Sequence, residues 1–130
     1  MSGAPQGGRL VIVVEDTRDC AAALEVALTA GGFFSVRSCA SAEEALELIG
    51  SHRPCAVVTD IHLPGISGLA LIARLRTLYP ATGLKVIAVS GDGCPRLKEQ
   101  ALSAGAQIFF SKPYSPLEVR RVLEELVDEE

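Results

Sequence analysis

Hydrophobic and polar positions follow one another along the chain in two alternating patterns. Leu10-Val11-Ile12-Val13-Val14 is an unbroken apolar run, mostly β-branched, as expected of a strand covered on both faces of a parallel sheet. From Asp19 to Ala30 the period becomes helical, with Ala21, Leu24 and Leu28 on one side and a stop expected at Gly31-Gly32. Phe34 to Cys39 reads as a second strand. Ser41-Ala42-Glu43-Glu44 has the form of a capping box, after which Ala42, Ala45, Leu46 and Ile49 make one helical face before Gly50. Cys55 to Thr59 is a third strand, and Leu69 to Tyr79 a helix between Gly68 and Pro80. Lys85 to Val89 and Gln107 to Phe110 are strands four and five, with a helix over Arg96 to Ala104 stopped by Gly105. A second capping box, Ser115-Pro116-Leu117-Glu118 with proline at the first helical position, leads into the stripe Val119, Val122, Leu123 and Leu126.

Five strands alternating with five helices over short connections predict right-handed β-α-β units, and hence a doubly wound α/β fold with a five-stranded parallel sheet. No linker or internal repeat divides it. The Ser, Gly, Ala, Pro and Gln composition of residues 1–8 suits a flexible leader, which leaves 9–130 as the single domain. Ligands of such sheets bind beyond the carboxyl ends of the strands, where the strand order reverses.

Composition narrows the classes of function. Of 130 residues, 48% are hydrophobic and 22% charged, which supports a packed core and excludes a disordered chain. The net charge of −4 and a pI near 5.2, with no basic run, argue against direct nucleic-acid or anionic-membrane binding. The lightly charged stretch from Asp19 to Arg37 is interrupted by Gly31-Gly32 and is not a membrane helix. Leu10 to Val14 is too short for a signal-peptide core, and Ser2 is not the glycine that myristoylation requires. Cys20, Cys39, Cys55 and Cys94 stand apart without a C-x-x-C pair, as reduced thiols in a cytoplasmic core do; a disulfide framework or structural zinc is not expected.

The candidate chemistry lies at the strand ends. Strand one runs into Glu15-Asp16, strand three into Asp60, strand four into Ser90-Gly91 and strand five into Lys112-Pro113. Taken singly, Asp16 reads as a helix N-cap, Lys112 as a solvated loop residue and Ser90 as a turn residue. Together they place three carboxylates, a hydroxyl and an ammonium on one rim. Crowded carboxylates repel unless a cation joins them, and an all-oxygen donor set suits Mg²⁺. Mg²⁺ shares its shell readily with a phosphate, for which Lys112 is a counter-charge and Ser90 a hydrogen-bond donor; Asp60 is then a candidate phosphoryl-accepting nucleophile.

With these residues in order, the chain resembles the receiver domain of two-component response regulators, of the chemotaxis-regulator type, from about Leu10 to Val127. The likeness rests on the Glu15-Asp16 acidic pair, on Asp60, Pro64 and Gly68 in a D-x-x-x-P-x-x-x-G segment, on Ser90 before a small residue, and on Lys112-Pro113. The separations of 44, 30 and 22 residues between Asp16, Asp60, Ser90 and Lys112 also fit. The resemblance implies a flavodoxin-like (βα)5 fold with strand order 2-1-3-4-5. It implies that Asp60 accepts a phosphoryl group from a sensor histidine kinase or histidine phosphotransfer protein. Mg²⁺ would be held by Asp16, Asp60 and the backbone carbonyl of His62, with Glu15 acting mainly through water. Lys112 would neutralise the transferring group, Ser90 would swing to the phosphoryl oxygen, and Phe109 would turn inward behind it, unless Phe109 is an ordinary core aromatic. Lys112-Pro113 would be cis. His62 and Asp92 would tune the phosphoryl lifetime, although a plain solvated loop histidine is the commoner reading of His62. The output surface would be the fourth helix, fifth strand and fifth helix, acting on a downstream protein or an output domain, as a monomer or a weak dimer.

Other classes fit less well. An aspartyl-phosphate phosphohydrolase, or a topoisomerase-primase-type metal site, needs a second acid two residues after the first, where this chain has His62. A dinucleotide binder needs G-x-G-x-x-G after strand one, where Glu15-Asp16-Thr17 stands. A phosphorylation-independent pseudo-receiver acting as an interaction module is the remaining alternative. The expectation is a signalling phosphoacceptor with self-phosphorylation and autodephosphorylation only, not an enzyme acting on other substrates.

Overall fold

The apolar runs become strands and the periodic segments helices, in strict alternation. They are β1 (Arg9–Val14), α1 (Arg18–Ala30), β2 (Phe34–Cys39), α2 (Ala42–His52), β3 (Ala56–Asp60), α3 (Gly68–Leu78), β4 (Lys85–Ser90), α4 (Pro95–Ala104), β5 (Ile108–Ser111) and α5 (Pro116–Asp128). The computed structural model describes residues 9–79, 83–91 and 95–128. Its strands form one parallel sheet in the order β2-β1-β3-β4-β5, the doubly wound flavodoxin-like topology expected.

Both faces of the sheet are covered, which is why β1 is apolar on both sides of its pleat from Leu10 to Val14. Val11 and Val13 enter the layer under α1 and α5, whereas Ile12 and Val14 enter the layer under α2, α3 and α4. All four are fully buried, a stabilisation of roughly 1.5–3 kcal/mol for each side chain. Leu24, Leu28, Val119 and Leu123 close the first layer, and Ala45, Ile49, Leu71, Ile72 and Leu75 the second.

The helix starts follow the capping chemistry. Ser41 Oγ accepts from the Glu44 amide at 3.2 Å, and Glu44 Oε1 accepts in return from the Ala40 amide at 3.0 Å. Ser115 Oγ likewise accepts from the Glu118 amide at 3.3 Å, but the Glu118 carboxylate turns to Arg121 at 2.6 Å instead of back to the cap.

Some boundaries differ from the sequence expectation. Helix α2 does not end at Gly50 but runs on to His52, and Arg53 caps it in the left-handed region at φ 50°. A mid-helix glycine costs only about 1 kcal/mol, whereas Pro54 disfavours a helical residue before it, so the proline sets the break. At the end of α1 it is Gly32, at φ 76°, that takes the left-handed turn. Asp60 and Ser90 close their strands instead of opening the loops, which places both on rigid backbone. The readings placed on residues 1–8, Pro80, Asp92 and Cys94 lie outside the described residues. Among the described residues, Cys20, Cys39 and Cys55 are in no disulfide.

Candidate functional site

The sheet reverses direction of winding between β1 and β3, and the carboxyl ends of these two strands carry Glu15, Asp16 and Asp60. One carboxylate oxygen from each lies within 4.8 Å of the other two. Glu15 and Asp60 are 4% and 5% exposed, whereas Asp16 faces solvent. Asp16 does not cap α1. Thr17 occupies the N-cap position, and its amide donates to Glu15 Oε2 at 3.1 Å.

Lys112 arrives from the end of β5, where its backbone amide donates to the Ser90 carbonyl at 2.7 Å. Its Nζ donates to Asp60 Oδ2 at 2.8 Å and to Glu15 Oε1 at 3.1 Å, and the Lys112-Pro113 bond is cis. The second oxygen of Asp60, Oδ1, accepts from the backbone amide of His62 at 2.8 Å, while the imidazole of His62 is exposed. Ser90 is fully buried at the end of β4. Thus Glu15, Asp16, Asp60 and Lys112 share one cluster, with Ser90 tied to it through the Lys112 amide.

Gly68 explains how Asp60 is held. A Cβ at this position would overlap the Asp60 carbonyl oxygen and lie 2.7 Å from Ile61 Cα, so only glycine lets the start of α3 pack onto that backbone. The Gly68 amide donates to the Ile61 carbonyl at 2.8 Å, closing the loop that Pro64 and Gly65, at φ 76°, carry around.

Burial pushes the Glu15 carboxyl above its usual range; the Thr17 amide opposes this, and the Asp60 charge adds to it. For Lys112 burial acts downward, but the hydrogen bonds it donates to Asp60 and Glu15 outweigh it and hold the ammonium above its ordinary value. The ammonium therefore remains charged and neutralises only part of the acidic cluster. The three carboxylates form an all-oxygen donor set with residual negative charge, which could hold a hard divalent cation.

The response regulator receiver domain model matches residues 11–124. The chain belongs to this family of two-component signalling domains. It is 37% identical over 115 residues to the C4-dicarboxylate transport transcriptional regulatory protein DctD of Rhizobium meliloti, covering 88% of this chain and 24% of that protein. It is 46% identical over 92 residues to the transcriptional activator protein ExaE of Pseudomonas putida, covering 68% of this chain and 42% of that one. The chain therefore spans less than half the length of these two relatives. Among solved structures, a CheY-like response regulator receiver domain protein from Methanospirillum hungatei superimposes with a TM-score of 0.85 at 27% identity, over 93% of this chain and 94% of that one.

In this receiver domain Phe109 sits on β5 opposite Ala88, half-buried against the layer under α2, α3 and α4. Two residues that the sequence reading left without a site role adjoin the cluster. Cys20 and Tyr114 line a cavity of about 500 Å³ beside Lys112, together with Asp19 and Gly91. Burial and then the Glu15 charge push the Tyr114 phenol up to about 12. Tyr114 stands two residues after Lys112, in the loop that leaves a strand end, and that placement was the available signal. Among the described residues no helix is long and apolar enough to cross a membrane.

Proposed function

We propose that the domain is a phosphoacceptor, with Asp60 taking a phosphoryl group from a phosphohistidine on a sensor histidine kinase or a histidine phosphotransfer protein. The observation that carries this reading is the setting of the Asp60 carboxylate. It is buried at the switch point, held by the Lys112 ammonium and the His62 amide at 2.8 Å each, beside two further carboxylates.

An Asp60 oxygen forms the new bond to phosphorus as the phosphorus–nitrogen bond breaks, and the electron pair leaves with the imidazole, which takes up a proton. Lys112 lies at the right place to offset charge on the phosphoryl oxygens, so this chain contributes positioning and electrostatics. Glu15, Asp16, Asp60 and the His62 carbonyl would hold Mg²⁺, which when bound supplies further positive charge to the same oxygens. Once the group is in place, the Ser90 hydroxyl turns to a phosphoryl oxygen, and the Phe109 ring follows inward past small Ala88. That rearrangement would be read on the α4, β5 and α5 surface by a downstream protein or output domain. The exposed imidazole of His62 leaves water a path to the phosphoryl group. The domain's own chemistry is then limited to self-phosphorylation and loss of the group.

Intact mass after incubation with acetyl phosphate tests this, with Mg²⁺, with chelator, and with Asp60→Asn. One phosphoryl addition requiring both Mg²⁺ and Asp60 is the expected result. No addition under any condition, with no Mg²⁺-dependent NMR shifts at Asp16 and Asp60, would make the domain a phosphorylation-independent interaction module.

A further inference from the structure

Arg76, near the end of α3, makes three hydrogen bonds at the amino end of the strands, the end of the sheet opposite Asp60. Its Nε donates to the Gly105 carbonyl at 2.8 Å, one terminal nitrogen to the Leu84 carbonyl at 3.0 Å, and the other to Gln107 Oε1 at 2.8 Å. The same Gln107 oxygen accepts from the Val86 amide at 2.8 Å. One guanidinium thus joins the end of α3, the entry to β4, the end of α4 and the entry to β5. Gly105 is shaped to this contact. It sits at φ 128°, and a Cβ there would overlap the Arg76 stem, with Nε at 2.8 Å. Part of the charge is buried, and burial lowers the guanidinium below its ordinary range.

Leu97 and Ala101 are the buried side chains of α4, and Ala106, just past its carboxyl end, is buried as well. The Gly105 and Ala106 amides both close onto the Ala101 carbonyl, at 3.2 and 3.1 Å, and the Gln107 amide bonds the Val86 carbonyl at 2.9 Å. Ser90, at the carboxyl end of β4, lies toward the amino end of α4.

We propose that Arg76 is a pivot pin: it fixes the carboxyl end of α4 to the body of the domain, so that α4 moves as a lever from its amino end. The direction of the pull, from Ser90, rests on the phosphoacceptor reading. The pin itself belongs to the unphosphorylated protein.

Amide hydrogen exchange tests both parts on the full chain. In the unphosphorylated wild type, Gly105, Ala106 and Gln107 exchange at least about tenfold more slowly than Glu99 and Gln100. Arg76→Met speeds the first set roughly ten- to a hundredfold, the worth of these hydrogen bonds to a charged group, and leaves Val11–Val14 and Val57–Asp60 within about threefold. Gly105→Ala reaches the same contact from the other side and gives the same local pattern, while Arg76→Lys, which keeps the stem and the charge, gives a smaller change. After phosphorylation, confirmed by mass, exchange changes at Glu99 and Gln100 but not at 105–107 in the wild type, and at both ends in Arg76→Met. Acceleration spread evenly over the domain, unchanged exchange at 105–107 in Arg76→Met, or a wild-type response equal at both ends would overturn the pin. Failure to phosphorylate would sink the phosphoacceptor reading alone, because the unphosphorylated comparison still decides the pin.

Discussion

Lys112→Met isolates the electrostatics of the acidic cluster. Methionine keeps much of the apolar stem and removes only the ammonium, leaving Glu15 and Asp60, with side chains 1% and 6% exposed, facing each other without it. Removing one partner of a fully buried pair costs about 3–5 kcal/mol. Here the lysine is 24% exposed and Asp16 faces solvent, so water screens part of the repulsion and about 2–3 kcal/mol is the expected loss. Urea unfolding in chelator should show it as a midpoint lowered by roughly 1–2 M. Mg²⁺ would draw on the same carboxylate oxygens that Lys112 now bridges, so it should stabilise the variant more than the wild type. At about 100 times its dissociation constant the ion returns about 2.7 kcal/mol, nearly the whole deficit. Adding Asp60→Asn to Lys112→Met should recover at least about 1 kcal/mol in chelator, because one of the two opposed charges is gone. Wild-type stability for Lys112→Met in chelator, or an equal loss with and without Mg²⁺, would refute the reasoning.

Gly68→Ala should lose about 3 kcal/mol by urea unfolding, at the upper end for overpacking, because the added methyl meets Asp60 and Ile61 backbone that cannot rotate away. The same displacement of Asp60 should remove Mg²⁺-dependent phosphorylation by acetyl phosphate, and retention of both properties would contradict it. Burial, then the Glu44 charge, raises the Cys39 thiol from 9.0 to about 11. The fold therefore favours the neutral thiol, and this contribution is complete below pH 9.0 and lost as pH rises through about 11. At pH 9, iodoacetamide should label Cys39 about 50-fold more slowly in the folded chain than in urea, read by peptide mass; equal rates would contradict the burial argument.

How far the sequence foretells the structure depends on the range of the interaction involved. The alternation of Leu10–Val14 with the stripe of Leu24 and Leu28 is local, and each element forms where its own period places it. The strand-end residues were legible for a related reason. In a parallel sheet every strand ends on the same rim, so a polar residue closing each apolar run must join the others without any knowledge of loops. That is how Glu15, Asp16, Asp60 and Lys112 come together across 97 residues of chain. Gly50 misled because a glycine is a weak stop in a helix whose other residues are packed, and Pro54, four positions on, set the boundary. Gly68 could be recognised as part of a spacing pattern, but the steric reason, contact with the backbone of Asp60, exists only once α3 is docked. The Arg76 contacts were not legible at all. Arg76 and Gly105 are 29 positions apart, arginine has no turn or strand signature, and Gly105 reads as a helix stop whether or not a guanidinium lies against it. Local rules therefore reveal where the chemistry converges, while the parts that could carry its consequences away through α4 are long-range contacts between residues that look ordinary on their own.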